Sequence, residues 1–173
     1  DWAARGARVF ALDFELGPLR LLSTLLRQGQ ASVPRWRHGS NDYLSHVLRN
    51  PGAKGAAVLP IAGDALGPPL GAGGLRVASA FNLLDNVDQP LVLIRQLHAL
   101  LEPGGTLVLM TPYDFVSRCT PPEHRLGEGI RVGDDPDPAA ALRALLTGGF
   151  PELAPEVCFE ITHERESLPW VLP

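Results

Sequence analysis

The chain has little that would suit a polyanion, a membrane or a metal. Its 173 residues contain no block of Lys or Arg, and the formal net charge is −4. That pattern argues against a phosphate-backbone-binding surface, while a small anionic ligand remains open. Cys119 and Cys158 are too few and too far apart for a disulfide framework or a zinc site, and the five histidines show no metal-ligand spacing. No metal is expected. No apolar run reaches transmembrane length, and the first residues lack the layout of a signal peptide, so a reduced cytoplasmic setting without membrane contact is expected. Internal repeats and low-complexity segments are lacking too. There is no G-x-G-x-x-G following a strand and no Walker pattern, so no phosphate cradle can be located. Gly71-Ala72-Gly73-Gly74 precedes a strand, and Pro103-Gly104-Gly105 follows a helix. The first is read as a loop, the second as a helix stop with a tight turn.

What is present is a soluble-type composition, 45% hydrophobic and 20% charged, in a chain long enough for one domain with a sizeable core. Gly 18 and Pro 17 imply many well-punctuated loops. The most informative stretch is residues 75–115, LRVASAFNLLDNVDQPLVLIRQLHALLEPGGTLVLMTPYDF. It reads as a strand at 75–81, a polar turn, an amphipathic helix from about 88 to 101, a Pro-Gly-Gly break and a strand at 106–110. Strand, crossover helix and strand in that order pair in parallel. Ligands of open α/β sheets bind beyond the carboxyl ends of such strands. Asn82, Asp85 and Asn86 stand at the first of these ends, and Thr111, Tyr113 and Asp114 at the second.

Residues 1–5 look like the last turn of a helix stopped by Gly6, followed by a short strand, residues 8–13, closing on Asp13. Residues 17–28 place Leu19, Leu22, Leu25 and Leu26 on one helix face, and Gly29 ends it. Residues 41–48 suggest a short helix capped by Ser40 or Asn41. Residues 58–61 read as a strand, with Pro60 pointing to an edge position, and Gly63-Asp64 follows. Beyond Phe115 comes a long polar loop containing TPPEHRLG (120–127). A further helix starts at Asp137-Pro138 and stops at Thr147-Gly148-Gly149. Apolar and polar residues alternate over 157–163, which suits a half-buried strand. The expected fold is a single α/β domain: an open, mostly parallel sheet with helices on both faces.

Asp13 and Asp64 end consecutive strands. Either alone reads equally or better as a cap or turn residue, but two acids at one sheet edge suit the sugar and base of a nucleoside. The order ALD (11–13), GDAL (63–66), NLLD (82–85), LEPGGTLVL (101–109) and TPYDF (111–115) resembles the S-adenosylmethionine-dependent methyltransferases of the Rossmann-like class. The resemblance implies S-adenosylmethionine as cofactor. It places Asp13, with Phe14, at the ribose hydroxyls, Asp64, with Ala65, at the adenine amine, and Asn82, with Leu83, beside the methionine part. A narrower resemblance, carried by TPYDF, TPPEHRLG and Leu168-Pro169-Trp170, is to the C-terminal methyltransferase module of ovothiol biosynthesis, whose members methylate a ring nitrogen of 4-mercaptohistidine. Where that group usually has Asn-Trp, this chain has His124-Arg125.

The resemblance also implies that the family's first strand and glycine-rich turn precede residue 1, and that a last strand follows Trp170. The chain is therefore expected to be truncated at both ends, to bind cofactor weakly by itself, and to leave a sheet strand for a partner or a second copy to cover. Methyl transfer needs alignment of the acceptor and at most one proton acceptor. The expected acceptor contacts are Asp85, Tyr113, Asp114 and Glu123, with Tyr113 and His124 closest to the chemistry. For Tyr113 an ordinary strand-end residue, and for His124 a solvated loop histidine, remain as alternatives. Two other functions stay open: a non-catalytic methyltransferase-like binding module, and a nicotinamide-dependent oxidoreductase, which Asp13 alone would fit.

Overall fold

The computed structural model describes residues 2–36 and 43–167. They form a mixed α/β structure with three helices and three two-stranded sheets among the described residues, two of the sheets parallel. A single continuous sheet with helices on both faces, the sequence expectation, is not formed among these residues. The parallel pairs are compatible with a Rossmann-like arrangement. The chain divides into two compact units, Asp1–Pro69 and Leu70–Pro173, and each is described by itself.

In the first unit, a 3-10 turn at Ala3–Arg5 ends at Gly6, whose φ of 83° only glycine adopts without strain. Strand β1, Val9–Asp13, leads into helix α1, Leu16–Gln28. The leucine stripe read from the sequence faces inward: Leu19 is buried, and Leu22, Leu25 and Leu26 are half-buried. Gly29 stops the helix with its N–H on the Leu25 carbonyl, 2.8 Å away.

The next segment corrects the sequence reading. Residues 43–48 are extended, not helical. Strand β2, Gln30–Trp36, and strand β3, Tyr43–Arg49, form an antiparallel hairpin in register Gln30↔Arg49 to Trp36↔Tyr43. The proposed cap residues Ser40 and Asn41 lie outside the described residues. Strand β4, Val58–Ala62, then pairs in parallel with β1, from Val9↔Val58 to Asp13↔Ala62. Pro60 sits opposite Ala11 in this two-stranded sheet, where an open side makes no demand on its missing N–H.

The second unit holds strand β5, Leu75–Phe81, helix α2, Pro90–Leu100, and strand β6, Leu101–Met110, with β5 and β6 parallel. The unit therefore contains the expected strand–helix–strand. Its Pro-Gly-Gly segment is a bulge within β6, because the register jumps from Leu75↔Leu101 to Val77↔Thr106. Ala78 and Ala80 are buried on the same side of β5, and Leu93, Ile94, Leu97 and Leu100 are the buried face of α2. The β5 turn adds Leu84, the 116–130 loop adds Leu126 and Ile130, and helix α3, Pro138–Leu146, adds Ala141, Leu142 and Leu145. At about 1.5–3 kcal/mol for each large apolar side chain fully removed from water, this cluster dominates the unit's stability.

Residues 157–163 make no strand pairing among the described residues, so that expectation is corrected. Val157 is buried, Phe159 meets the His98 ring edge-on at 5.2 Å, and the Phe159 N–H reaches the Leu146 carbonyl at 2.7 Å. The alternation reflects packing on α2 and α3. No helix among the described residues is long and apolar enough to cross a membrane. Trp170 lies outside them.

Candidate functional site

The carboxyl ends of β1 and β4 lie side by side, since the Gly63 N–H bonds the Asp13 carbonyl at 3.1 Å. Each strand end carries its acid in a local turn. Asp13 Oδ1 accepts from the Glu15 N–H, and Asp64 Oδ1 accepts from the Leu66 N–H, both at 2.8 Å. These are Asx turns, which any Asp in that backbone makes. Oδ1 of each carboxylate is thus held by its own turn. Phe14, beside Asp13, is 81% exposed, and Ala65 is half-buried in the Asp64 turn.

In the second unit the carboxyl ends of β5 and β6 are joined by the Asn82 N–H to the Met110 carbonyl at 2.8 Å. Asn82 has φ 51° and Tyr113 φ 58°, the two non-glycine residues in left-handed backbone among those described. Asn tolerates that conformation and Tyr does so at a cost of order 1 kcal/mol or more. Such outliers persist where the surrounding contacts over-determine them, and here those contacts can be traced. The Asn82 carbonyl accepts from Asn86 Nδ2 at 3.0 Å, and Leu83 leads into a 3-10 turn, Leu84–Asn86. Asp85 in that turn is 2% exposed. Its Oδ1 accepts from the Thr111 hydroxyl at 3.2 Å, and the same hydroxyl oxygen accepts from the Tyr113 N–H at 3.1 Å.

The loop after Phe115, expected to be long and polar, folds back tightly on this turn. Thr120 is fully buried, and its hydroxyl donates to the Val87 carbonyl at 2.6 Å and, more weakly, to that of Asp85 at 3.4 Å. Arg125, 9% exposed, braces the loop: Nε donates to the Thr120 carbonyl at 2.9 Å, with Ser117 Oγ and Glu128 on its other nitrogens. Gly129 lets the chain turn against the Glu123 carbonyl, where any Cβ would overlap. This geometry places His124 so that Nδ1 meets the Asp88 carbonyl at 2.8 Å. A carbonyl can only accept, so Nδ1 carries a hydrogen, which assigns the lone pair of the Nδ1–H tautomer to Nε2.

Tyr113 is half-buried, and burial raises its phenol pKa above the ordinary value. Arg143 nearby lowers it, while Glu164 and Asp137 push it up. Arg143 is itself ringed by Asp137 at 3.9 Å, Glu164 at 2.7 Å and Glu166 at 3.5 Å, and its ion pair with Glu164 holds its pKa above the usual range.

Asn82, Asp85, Tyr113 and His124 thus belong to one connected arrangement in the second unit. Leu83 lies within the same turn, half-buried. Asp114 and Glu123 are exposed, with no side-chain hydrogen bond recorded among the described residues. Asp13, Phe14, Asp64 and Ala65 belong to the first unit. Sequence reasoning did not single out Thr120, Arg125 or Arg143. The first two sit within the conspicuous TPPEHRLG run, but their roles depend on what the loop folds against. Among the described residues no group of His, Cys, Asp and Glu is arranged to hold a metal ion. No known protein-family model matches the chain, and no curated protein matches it.

Proposed function

We propose that this chain belongs to an S-adenosylmethionine-dependent methyltransferase of the Rossmann-like class that acts on a small-molecule acceptor. The observation that carries the reading is the placement of Asp13 and Asp64 at adjacent parallel-strand ends, each with one oxygen held by its own turn. Two carboxylate acceptors fit the donors of an adenosine, namely the paired ribose hydroxyls and the exocyclic amine. A cofactor of this type, having no phosphate, needs no phosphate cradle and no cluster of cations. Phe14 and Ala65, in the same unit, would supply apolar contact beside these groups.

When bound, the cofactor supplies an electrophilic methyl on a sulfonium. The protein's remaining task is alignment, exclusion of water and proton removal. Tyr113, with its phenol kept protonated, donates a hydrogen bond to the acceptor, and His124 Nε2 takes the proton that a ring nitrogen sheds. Exposed Asp114 and Glu123 suit a zwitterionic or cationic acceptor. A thio-imidazole such as 4-mercaptohistidine meets these requirements, and TPYDF with TPPEHRLG supports that acceptor class.

The test uses the purified protein. Methyl-labelled S-adenosylmethionine is offered with 4-mercaptohistidine, and cofactor affinity is measured by calorimetry for the parent, Asp13→Asn and Asp64→Asn. We expect label on the imidazole and at least about a tenfold loss of affinity in each variant, the scale of a lost charge-assisted hydrogen bond. Label on a different acceptor would end the mercaptohistidine assignment alone. Cofactor binding without transfer to any acceptor would point to a nucleoside-binding module. Affinity unchanged in both variants would remove the basis of the proposal.

A further inference from the structure

We infer that Asp85 is a positioning residue: its buried carboxylate, acting through the Thr111 hydroxyl, holds Tyr113 in left-handed backbone at the end of β6. The inference rests on the proposed reading only in giving Tyr113 an acceptor to face. The relay itself is a property of the fold.

The directions of the hydrogen bonds are forced. The Tyr113 N–H can only donate, so it occupies a lone pair of Thr111 Oγ1 at 3.1 Å. The Thr111 hydroxyl hydrogen then needs an acceptor, and Asp85 Oδ1 lies 3.2 Å away. Asp85 Oδ1 accepts that hydrogen, which fixes the hydroxyl rotor and keeps the lone pair turned to Tyr113. Asp85 is 2% exposed, which gives water little access to compete for that hydroxyl. Its own backbone is fixed in turn, because the fully buried Thr120 hydroxyl bonds the carbonyls of Asp85 and Val87. A tyrosine at φ 58° would otherwise relax to ordinary backbone, swinging its ring off the strand end. Asp85 was expected to touch substrate. Its burial and its bond to Thr111 favour support of Tyr113 from beneath.

The chain has two tyrosines, so Tyr43→Phe leaves Tyr113 as the single phenol and makes its titration directly visible by ultraviolet difference spectroscopy. In that background the protein is prepared as Thr111→Val, Thr111→Ser, Asp85→Ala and the Asp85→Ala/Thr111→Val double variant. Thr111→Val and Thr111→Ser leave the charge of the site unchanged, so Arg143, Glu164 and Asp137, which face the phenol, act equally in both. We expect Thr111→Val to lower the phenol midpoint toward the ordinary tyrosine value of about 10 and to weaken the near-ultraviolet dichroism. Thr111→Ser should restore both. Adding Asp85→Ala to Thr111→Val should change neither further, because the relay is already cut.

A Thr111→Val midpoint equal to the parent's would overturn the inference, as would Thr111→Ser behaving like Thr111→Val. So would additive shifts in the double variant. If Thr111→Val does not fold, Asp85→Ala, which leaves the Thr111 hydroxyl without its acceptor, carries the decision: a midpoint and spectrum unchanged from the parent would overturn it too. None of these readouts requires methyl transfer, so failure of the proposed activity and failure of the relay are seen separately.

Discussion

Asn82 and Tyr113 share a left-handed backbone, φ 51° and 58°, at the carboxyl ends of two hydrogen-bonded parallel strands. The chain is forced into an uncommon conformation twice, at the edge where α/β sheets bind ligands. At Asn82 the strain is separable from side-chain chemistry. Asn82→Gly should leave the urea midpoint unchanged or raise it slightly, whereas Asn82→Ala should lower stability by about 1 kcal/mol. Equal stability of the two variants would mean the backbone there is not strained.

Thr120 should prove intolerant of loss of its hydroxyl. Thr120→Val keeps the shape but leaves the Val87 carbonyl without its donor, at a cost of about 1–3 kcal/mol in chemical denaturation. Thr120→Ser should recover most of it. Arg125→Lys should fail to replace Arg125, since one ammonium cannot span Thr120, Ser117 and Glu128 in the fixed fork that the guanidinium provides.

Gly129→Ala should displace the loop that carries His124. Its Cβ would overlap the Glu123 carbonyl, a backbone atom with little room to move. The expected outcome is loss of the His124 bond to Asp88, seen by NMR as a change in the His124 tautomer signals. A local displacement should show this change without global unfolding.

Stability should fall at high pH in a way that Tyr113→Phe abolishes. The folded state keeps the phenol proton longer than the unfolded chain does, because burial raises its pKa. The contribution is complete below the unfolded value of about 10 and is lost as pH rises through the folded one. At the acid end, the hydrogen bond from Arg95 holds the Glu156 carboxyl below its ordinary value. That contribution is present above the ordinary carboxylate range and is lost as pH falls through the folded value. Denaturant midpoints of Tyr113→Phe and Glu156→Gln against the parent check both ends, with the acid effect small because the pair is exposed.

The legible part of the fold was the part built on periodicity. Residues 75–81 and the 90–100 helix carry uninterrupted strand and helix patterns, and both formed within a residue or two of the expected bounds. Asp137 capped its helix as its position before Pro138 suggested, accepting from the Ala139 and Ala140 N–H groups. The β2–β3 hairpin escaped because strand pairing is a long-range fact. Pro34 interrupts the strand signal in one arm, and the other arm, YLSHVLR, is short enough to read as a helix. Residues 157–163 misled in the opposite direction, since alternation measures which side chains are covered and not whether the backbone is paired. In each unit the strand-end positions were readable, Asp13 and Asp64 in the first, Asn82 and Tyr113 in the second. The Asp85–Thr111–Tyr113 relay was not, because 26 residues separate its first two members and only the fold brings them together.

The stretch after α3 is fastened by side chains. Ala154 and Val157 are buried, Glu156 pairs with Arg95, Phe159 meets His98, and Glu164 and Glu166 reach Arg143. Over residues 158–167, one amide, that of Phe159, has a recorded hydrogen-bond acceptor among the described residues. The segment should therefore be ordered to crystallographic displacement or to paramagnetic probes, yet exchange its amide hydrogens within seconds, with Phe159 standing alone as the slow position.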